Sequence, residues 1–473
     1  MSNKFSDIRQ NVKRVNSNIY LKFEHFIDDV HQFGLKNYAQ YLDRHNIGNF
    51  LMEDQVGFRF SQVVDVMIYY YETHQKDPTI TESLIFQSIS NKNTTPYIIP
   101  VAVQYNPADW TDVNHIGMNV EGKKSIFERI NPLFLSDLQN GKALLLIDQS
   151  VEGYSARWLW DWFHAKCRKY KISPSAIVYM TGDQSCADTY EKWCTLHRPA
   201  KKLKVIPSIS LSTFVHKHYM RHNLQIDFDD ILKHKTENKD KIYLYDCTNK
   251  RPRNQRVFNF LHLLHNDLLD EGNISMPAQD TWNEWIVLDE NNLKENGLDI
   301  SVVEKLNQPN ILPREAKYNY TPEITHYFSY VERILDDMYR NSWVSLVVES
   351  SYYQREYSVF ISEKSFKPIA AMQPFITVGS KGTLAYLRKL GFKTFHPFID
   401  ESYDEMNDTE RFQGIMNALK KIKAIEDKSA WLESMRDILV HNHKLFVEIG
   451  TSKSIEHTEL VNYYFNYFGD KNV

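Results

Sequence analysis

The chain has 473 residues, room for two or three domains. Apolar residues make up 42% and charged residues 25%, and 56 basic against 60 acidic side chains leave a net charge of −4. This balance excludes a disordered chain, a basic tail and a surface that binds polyanions along its whole length. The aromatic share of 13% suits surfaces that touch sugars or bases, and it equally suits a Tyr-rich core. Four cysteines, Cys167, Cys186, Cys194 and Cys247, form no C-x-x-C and no zinc-ligand spacing, so they read as unpaired buried thiols in a reducing compartment. The first residues hold no apolar signal-peptide region, and apolar runs such as 143–147 are strand-sized, far below the ~20 residues of a membrane span. The expectation is a soluble cytoplasmic protein with no membrane span.

In chain order, residues 1–75 look helical or mixed, and 96–103 is a strand between two prolines. A regular rhythm then begins. Residues 143–148 (ALLLID) are a continuous apolar run, as a doubly covered parallel strand should be. A helix over 155–170, a strand over 176–181, a helix over 184–197 and a strand over 203–206 follow. The polar stretch 222–241 reads as a linker. The rhythm restarts with a strand over 241–247, a basic loop over 248–256 and an apolar helix over 257–269. Residues 272–320 look irregular. Beyond them the pattern predicts a helix at 325–339, strands at 343–348 and 374–378, helices at 363–372 and 383–390, a short strand at 393–395, and a helical remainder. Alternating strands and helices indicate βαβ units. The chain is thus expected to be α/β, with two Rossmann-like domains over 1–235 and 240–440, a helical segment over 441–473, and an interdomain cleft. Ligands in such sheets sit beyond the carboxyl ends of the strands, so those residues come first.

Loop 248–256 (TNKRPRNQR) leads from a strand into a helix and carries Lys250, Arg251, Arg253 and Arg256. Cations are disfavoured at a helix N-terminus, so several of them there imply a bound anion such as phosphate, for which arginine is the bidentate partner. In a second segment, Ser362 can cap a helix beginning at Glu363 and Lys364. That carboxylate can accept two ribose hydroxyls while the lysine meets a phosphate. Pro368 complicates this segment, because a proline inside the helix would move its start to Lys367. The loop Gly379-Ser-Lys-Gly382 lacks both the dinucleotide and the P-loop spacings, which leaves a nicotinamide or P-loop ATPase site unsupported. Glu152 and Asp183, each after a strand, are alternative general bases. The pairs His216-x-His218, His262-x-x-His265 and His441-x-His443 complete no metal site, and Asp227-x-Asp229 falls in the linker, so no metal is assigned. Lys201-Lys202-x-Lys204 could engage phosphates of a nucleic acid.

The order strand, Asn249, Arg256, apolar helix, then Glu363-Lys364 ahead of Pro374-Phe-Ile-Thr-Val-Gly379 resembles the donor half of GT-B glycosyltransferases. It is most similar to the α-1,3-fucosyltransferase family and to glycosyltransferase-like proteins of bacteriophages and marine viruses. The likeness covers about 240–400. It implies transfer of a sugar from a nucleotide-diphosphate sugar to a hydroxyl, with Asn249, Arg256, Glu363 and Lys364 at the donor and no cofactor besides that substrate; Arg253 of the basic loop is a further candidate there. The acceptor would be a glycan or a modified base in phage DNA, in the cytoplasm of a bacterium or a phage-infected host cell. The alternative is a non-catalytic nucleotide- or nucleic-acid-binding phage protein.

Overall fold

Runs of apolar residues without polar alternation become strands buried on both faces, and two such sheets organise the described residues. The structure, a computed structural model, describes residues 97–102, 127, 132–150, 153, 158–249, 251–282, 286–317, 336–353, 358–451 and 455–469. The chain divides into two compact units, one of Met1–Gly182, Cys186–Ser208 and Lys453–Val473, the other of Asp183–Ser185 and Ile209–Ser452.

In the first unit, β1 (Tyr97–Ala102), β2 (Ala143–Gln149), β3 (Ile177–Thr181) and β4 (Lys204–Pro207) form a parallel sheet in that order. Helices α1 (Pro132–Gln139), α2 (Trp158–Tyr170) and α3 (Cys186–His197) alternate with the strands. Leu145, Ile147, Phe163, Ile177 and Tyr179 are fully buried in its core. The helix Ile455–Gly469 belongs to this unit: Glu459 pairs with Lys204 of β4 at 2.6 Å, and Tyr463 donates to the Ser175 carbonyl.

The second unit opens with α4 (Ser210–Arg221) and α5 (Phe228–Glu237), followed by β5 (Tyr243–Thr248), α6 (Asn254–His265) and β6 (Gly272–Ser275). Short helices α7 (Glu290–Glu295), α8 (Ser301–Leu306) and α9 (Asp336–Arg340) precede β7 (Ser342–Val348). Then come α10 (Glu363–Ala370), β8 (Phe375–Val378), α11 (Thr383–Lys389), α12 (Asp408–Lys423), α13 (Lys428–Glu433) and α14 (Arg436–Thr451). All four strands are parallel, in the order β6-β5-β7-β8. From β5 the chain steps outward to β6 on one side and returns to β7 on the other. The sheet therefore has a topological switch point between β5 and β7, and ligands of such sheets bind outside the carboxyl ends there.

Both units are Rossmann-like α/β folds, as the rhythm of the sequence predicts, and several segments differ in detail. The expected linker over 222–241 holds α5, whose N-cap Asp227 accepts from Asp229 N and Asp230 N. From this helix the fully buried Lys235 donates to Gln373 Oε1 at 2.6 Å and to the Ser342 carbonyl. The chain accordingly changes unit at Ser208 and Ile209, ahead of the 235–240 boundary read from composition. The segment 272–320 contains β6, where Gly272 leaves no space for a Cβ: one would stand 2.2 Å from the Tyr245 ring. The apolar helix ends at His265, because Asp267 takes a left-handed φ of 53° and Asn266 Nδ2 binds the His262 carbonyl. No strand forms at 393–395, where the Asn442 amide instead pairs with both Lys393 N and Lys393 O, as a neighbouring strand would. All four cysteines are buried free thiols. No helix among the described residues is long and apolar enough to cross a membrane.

His262, buried on α6 and stacked on Phe412, donates from Nε2 to the Asn296 carbonyl. Burial, opposed by this hydrogen bond, lowers its pKa to about 4. The unfolded chain, with a His near 6.5, binds more protons, so folding loses stability as pH falls from 6.5 toward 4. Urea unfolding at pH 7 and pH 4.5 should show an acid loss about 2–3 kcal/mol smaller in His262→Gln than in the wild type. Equal acid losses would show that His262 does not contribute.

Candidate functional site

Three helices of the second unit start on the carboxyl edge of its sheet: α6 after β5, α10 after β7 and α11 after β8. Every helix N-terminus presents unpaired N–H groups and the positive end of the helix dipole. At α11 a protein carboxylate already answers them. Asp404 Oδ1 accepts from Leu384 N at 3.2 Å, and burial raises this carboxyl to about 6 against the opposing amide hydrogen bonds of Leu384 and Ala385. At α10 the fully buried Glu349 holds the capping serine instead. It accepts from Ser362 N at 3.0 Å, Ser362 Oγ at 2.5 Å and Ser365 Oγ at 2.7 Å.

α6 is different. Its N-cap is Arg253, in an extended conformation with no side-chain cap, and Arg256 lies in its first turn. Two cations at the positive end of a helix are mutually unfavourable unless an anion joins them. Around this terminus, buried Asn249 Oδ1 and Arg256 Nε have no hydrogen-bond partner among the described residues, nor has Asn254 Oδ1. Arg256 Nη1 donates to the Arg251 carbonyl, which holds the loop in a turn around the guanidinium. Burial, then the neighbouring Arg253, lowers the Arg256 pKa to about 10, while Glu363, Cys247 and Glu349 oppose the shift. Unpartnered buried polar atoms are costly, about 1–3 kcal/mol each, and a bound anion with hydroxyl donors would satisfy both kinds here.

The two segments singled out in the sequence meet at Glu349. Gln255 of α6 donates from Nε2 to the carbonyls of Glu349 (2.9 Å) and Ser350 (2.7 Å), while the Glu349 carboxylate holds the first turn of α10. In that turn Lys364 Nζ lies 2.8 Å from Ser362 Oγ, 3.1 Å from Glu363 Oε1 and 4.0 Å from Glu349 Oε2. Burial pushes the Glu363 carboxyl up, but Lys364 and then Lys367 outweigh it, so its pKa falls below the usual value. Burial lowers Lys367 to about 8, against the attraction of Glu363. Arg411, fully buried on α12, donates to the carbonyls of Tyr352 and Gly379, which clamps the loops after β7 and β8 together. Gly379 stands where a Cβ would crowd Thr377 and Thr383 at 3.0 and 3.1 Å.

Asn249, Arg253 and Arg256 thus gather at the start of α6, with Glu363 and Lys364 in the adjoining turn of α10. Pro368 does not delay α10, because Ser362 caps it, accepting from Lys364 N, and Pro368 lies inside the helix. Asp183 is fully buried, and its Oδ1 accepts from Ser185 N, Ser185 Oγ and Val359 N. Through Oδ1 this carboxylate pins a loop. Glu152 and Lys250 lie outside the described residues. Lys202 and Lys204 are paired with Glu191 and Glu459, which reduces the basic patch read from 201–204. Among the described residues no group of three His, Cys, Asp or Glu side chains converges to hold a metal. Sequence reasoning missed Glu349, Gln255, Ser365 and Lys367 as site residues. For Glu349 the signal was present: a carboxylate directly after a strand buried along its whole length.

No family model matches the sequence, and no curated protein matches it. Solved structures similar to this chain include a UDP-forming alpha,alpha-trehalose-phosphate synthase from Burkholderia xenovorans, at 10% identity and a TM-score of 0.42, covering 93% of this chain and 85% of that one. The alpha,alpha-trehalose 6-phosphate synthase from Burkholderia multivorans has 10% identity and a TM-score of 0.41, covering 94% and 82%. The N-terminal domain of Candida albicans trehalose-6-phosphate phosphatase has 8% identity and a TM-score of 0.40, covering 88% and 82%. Likenesses this distant transfer no residue role.

If an anion shares the charge of Lys367, its binding takes up a proton whenever that lysine is neutral in the free protein. Affinity for a nucleoside diphosphate should therefore be full below pH 8 and fall above it, roughly 10-fold per pH unit at the steepest. Calorimetric titrations from pH 7.5 to 9.5 should show this fall in the wild type and a flatter profile in Lys367→Arg. Identical profiles would remove Lys367 from the site.

Proposed function

We propose that this chain is a GT-B glycosyltransferase that moves a sugar from a nucleotide-diphosphate sugar to a hydroxyl acceptor. The observation that carries the reading is the N-terminus of α6. It lies at the switch point of the second sheet, bears two arginines in place of a cap, and adjoins unpartnered buried atoms of Asn249 and Arg256. The resemblance of 240–400 to the α-1,3-fucosyltransferase family supports the same reading.

In this reading the diphosphate sits on the amide groups of the first turn of α6, between Arg253 and Arg256. Lys364 and Lys367 add positive charge from α10. Glu363, kept ionised by those lysines, accepts hydrogen bonds from the ribose hydroxyls. When the bond between the sugar and the diphosphate breaks, negative charge builds on the leaving oxygen. Fixed cations then bind the transition state more tightly than the ground state, which is the condition for accelerating the step. The candidates for the base that takes the acceptor proton are Glu152 and Asp183, of which Asp183 already accepts three hydrogen bonds at Oδ1. The ion pairs of Lys202 and Lys204 weigh against a nucleic-acid acceptor and favour a glycan or another uncharged hydroxyl compound.

Thermal-shift measurements with UDP, GDP, ADP and CDP should show one nucleotide raising the melting temperature, as binding to the native state requires. With the sugar donor so identified, Arg256→Ala and Lys364→Ala should each lower donor hydrolysis and transfer by at least ~10²-fold, the usual cost of removing one such charge-stabilising donor. Turnover near the wild-type value in both variants, or no shift with any nucleotide, would overturn the proposal.

A further inference from the structure

We propose that Glu349 and Ser362 are positioning residues that set the Lys364 ammonium for a bound diphosphate, an inference that rests on the donor-site reading above. A hydroxyl has one proton and two lone pairs, and at Ser362 each has a fixed direction. The acceptor-only carboxylate of Glu349, 2.5 Å away, takes the proton. The lone pairs are then left to Lys364, which approaches the same oxygen with its backbone N at 3.3 Å and its Nζ at 2.8 Å. The lysine side chain is thereby folded back onto its own helix start, where its ammonium also meets Glu363 at 3.1 Å. Without this anchor a lysine samples many rotamers, and binding must then order it at an entropic cost.

The Glu349 carboxylate is fully buried, yet the Lys364 ammonium is 4.0 Å away, so hydrogen bonds rather than a tight ion pair with it keep the carboxylate in place. Its backbone is equally engaged. Glu349 N donates to the Val378 carbonyl at 2.9 Å, and its carbonyl receives Gln255 Nε2. One residue therefore registers three elements: β8, the cationic start of α6, and the turn that carries Glu363 and Lys364. Glu349→Gln would present an amide with donors of its own, leaving one of the serine hydroxyls without its acceptor and releasing the direction of the Ser362 proton.

A double-mutant cycle on binding of the nucleoside diphosphate found by thermal shift tests this. Ser362→Ala should weaken binding about 10-fold when Lys364 is present and less than about 2-fold in the Lys364→Ala background, because the serine acts through the lysine. Ser362→Thr, which keeps the hydroxyl, should restore affinity to within about 3-fold, and Glu349→Gln should behave as Ser362→Ala does. A purely structural serine would weaken binding equally in both backgrounds, and that result would overturn the positioning role while leaving the donor site intact. Unchanged binding in Ser362→Ala alongside a loss in Lys364→Ala would overturn it too. If the wild type binds no nucleoside diphosphate, the donor-site reading falls, and the positioning role falls with it.

Discussion

A carboxylate with no exposed surface holds the working edge of the second unit together. Taking an ion of this kind out of water costs several kcal/mol unless donors surround it, and removing a donor from a buried charge is among the most damaging of single changes. Glu349 has its donors because β7 delivers it to the N-terminus of α10, where Ser362 and Ser365 are one helical turn apart and both hydroxyls face it. The strand, the helix start and the two serines are therefore one structural requirement. Relaxing any of them leaves a charge stranded in the interior.

The same accounting separates the three helix termini on this edge. Each is a site of positive potential. At two of them the protein supplies a carboxylate, Asp404 on a first-turn amide of α11 and Glu349 on the cap serine of α10, while the third, at α6, receives arginines. Burial, and after it the like charge of Arg253, lowers the Arg256 pKa. This arrangement at a topological switch point, with polar atoms of Asn249 and Arg256 left unpaired, is the feature on which the proposed anion site rests.

Much of this architecture could be read from the sequence because the strands that matter are continuous apolar runs: 143–148, 176–181, 343–348 and 374–378 all fall on observed strands. β6 escaped because it is four residues long and begins with a glycine that exists only to clear the Tyr245 ring. α5 escaped because its outer face is charged. The buried Lys235, which fastens it to Gln373 and Ser342, looks in sequence like one more solvated lysine. The cationic segments were legible from their charge at a strand-to-helix junction. Their meeting point was not: Glu349 precedes Ser362 by 13 residues, and its link to Gln255 spans 94. Contacts of that separation depend on strand order, which periodicity alone does not reveal.

A crystal structure with the nucleoside diphosphate that stabilises the protein would show whether the N-terminus of α6 receives a diphosphate. The proposed donor site requires phosphate oxygens within hydrogen-bond distance of the backbone N–H groups of Asn254 and Gln255 and of the Arg256 guanidinium, with a ribose hydroxyl near Glu363. A nucleotide bound elsewhere, with the start of α6 still facing solvent, would contradict it.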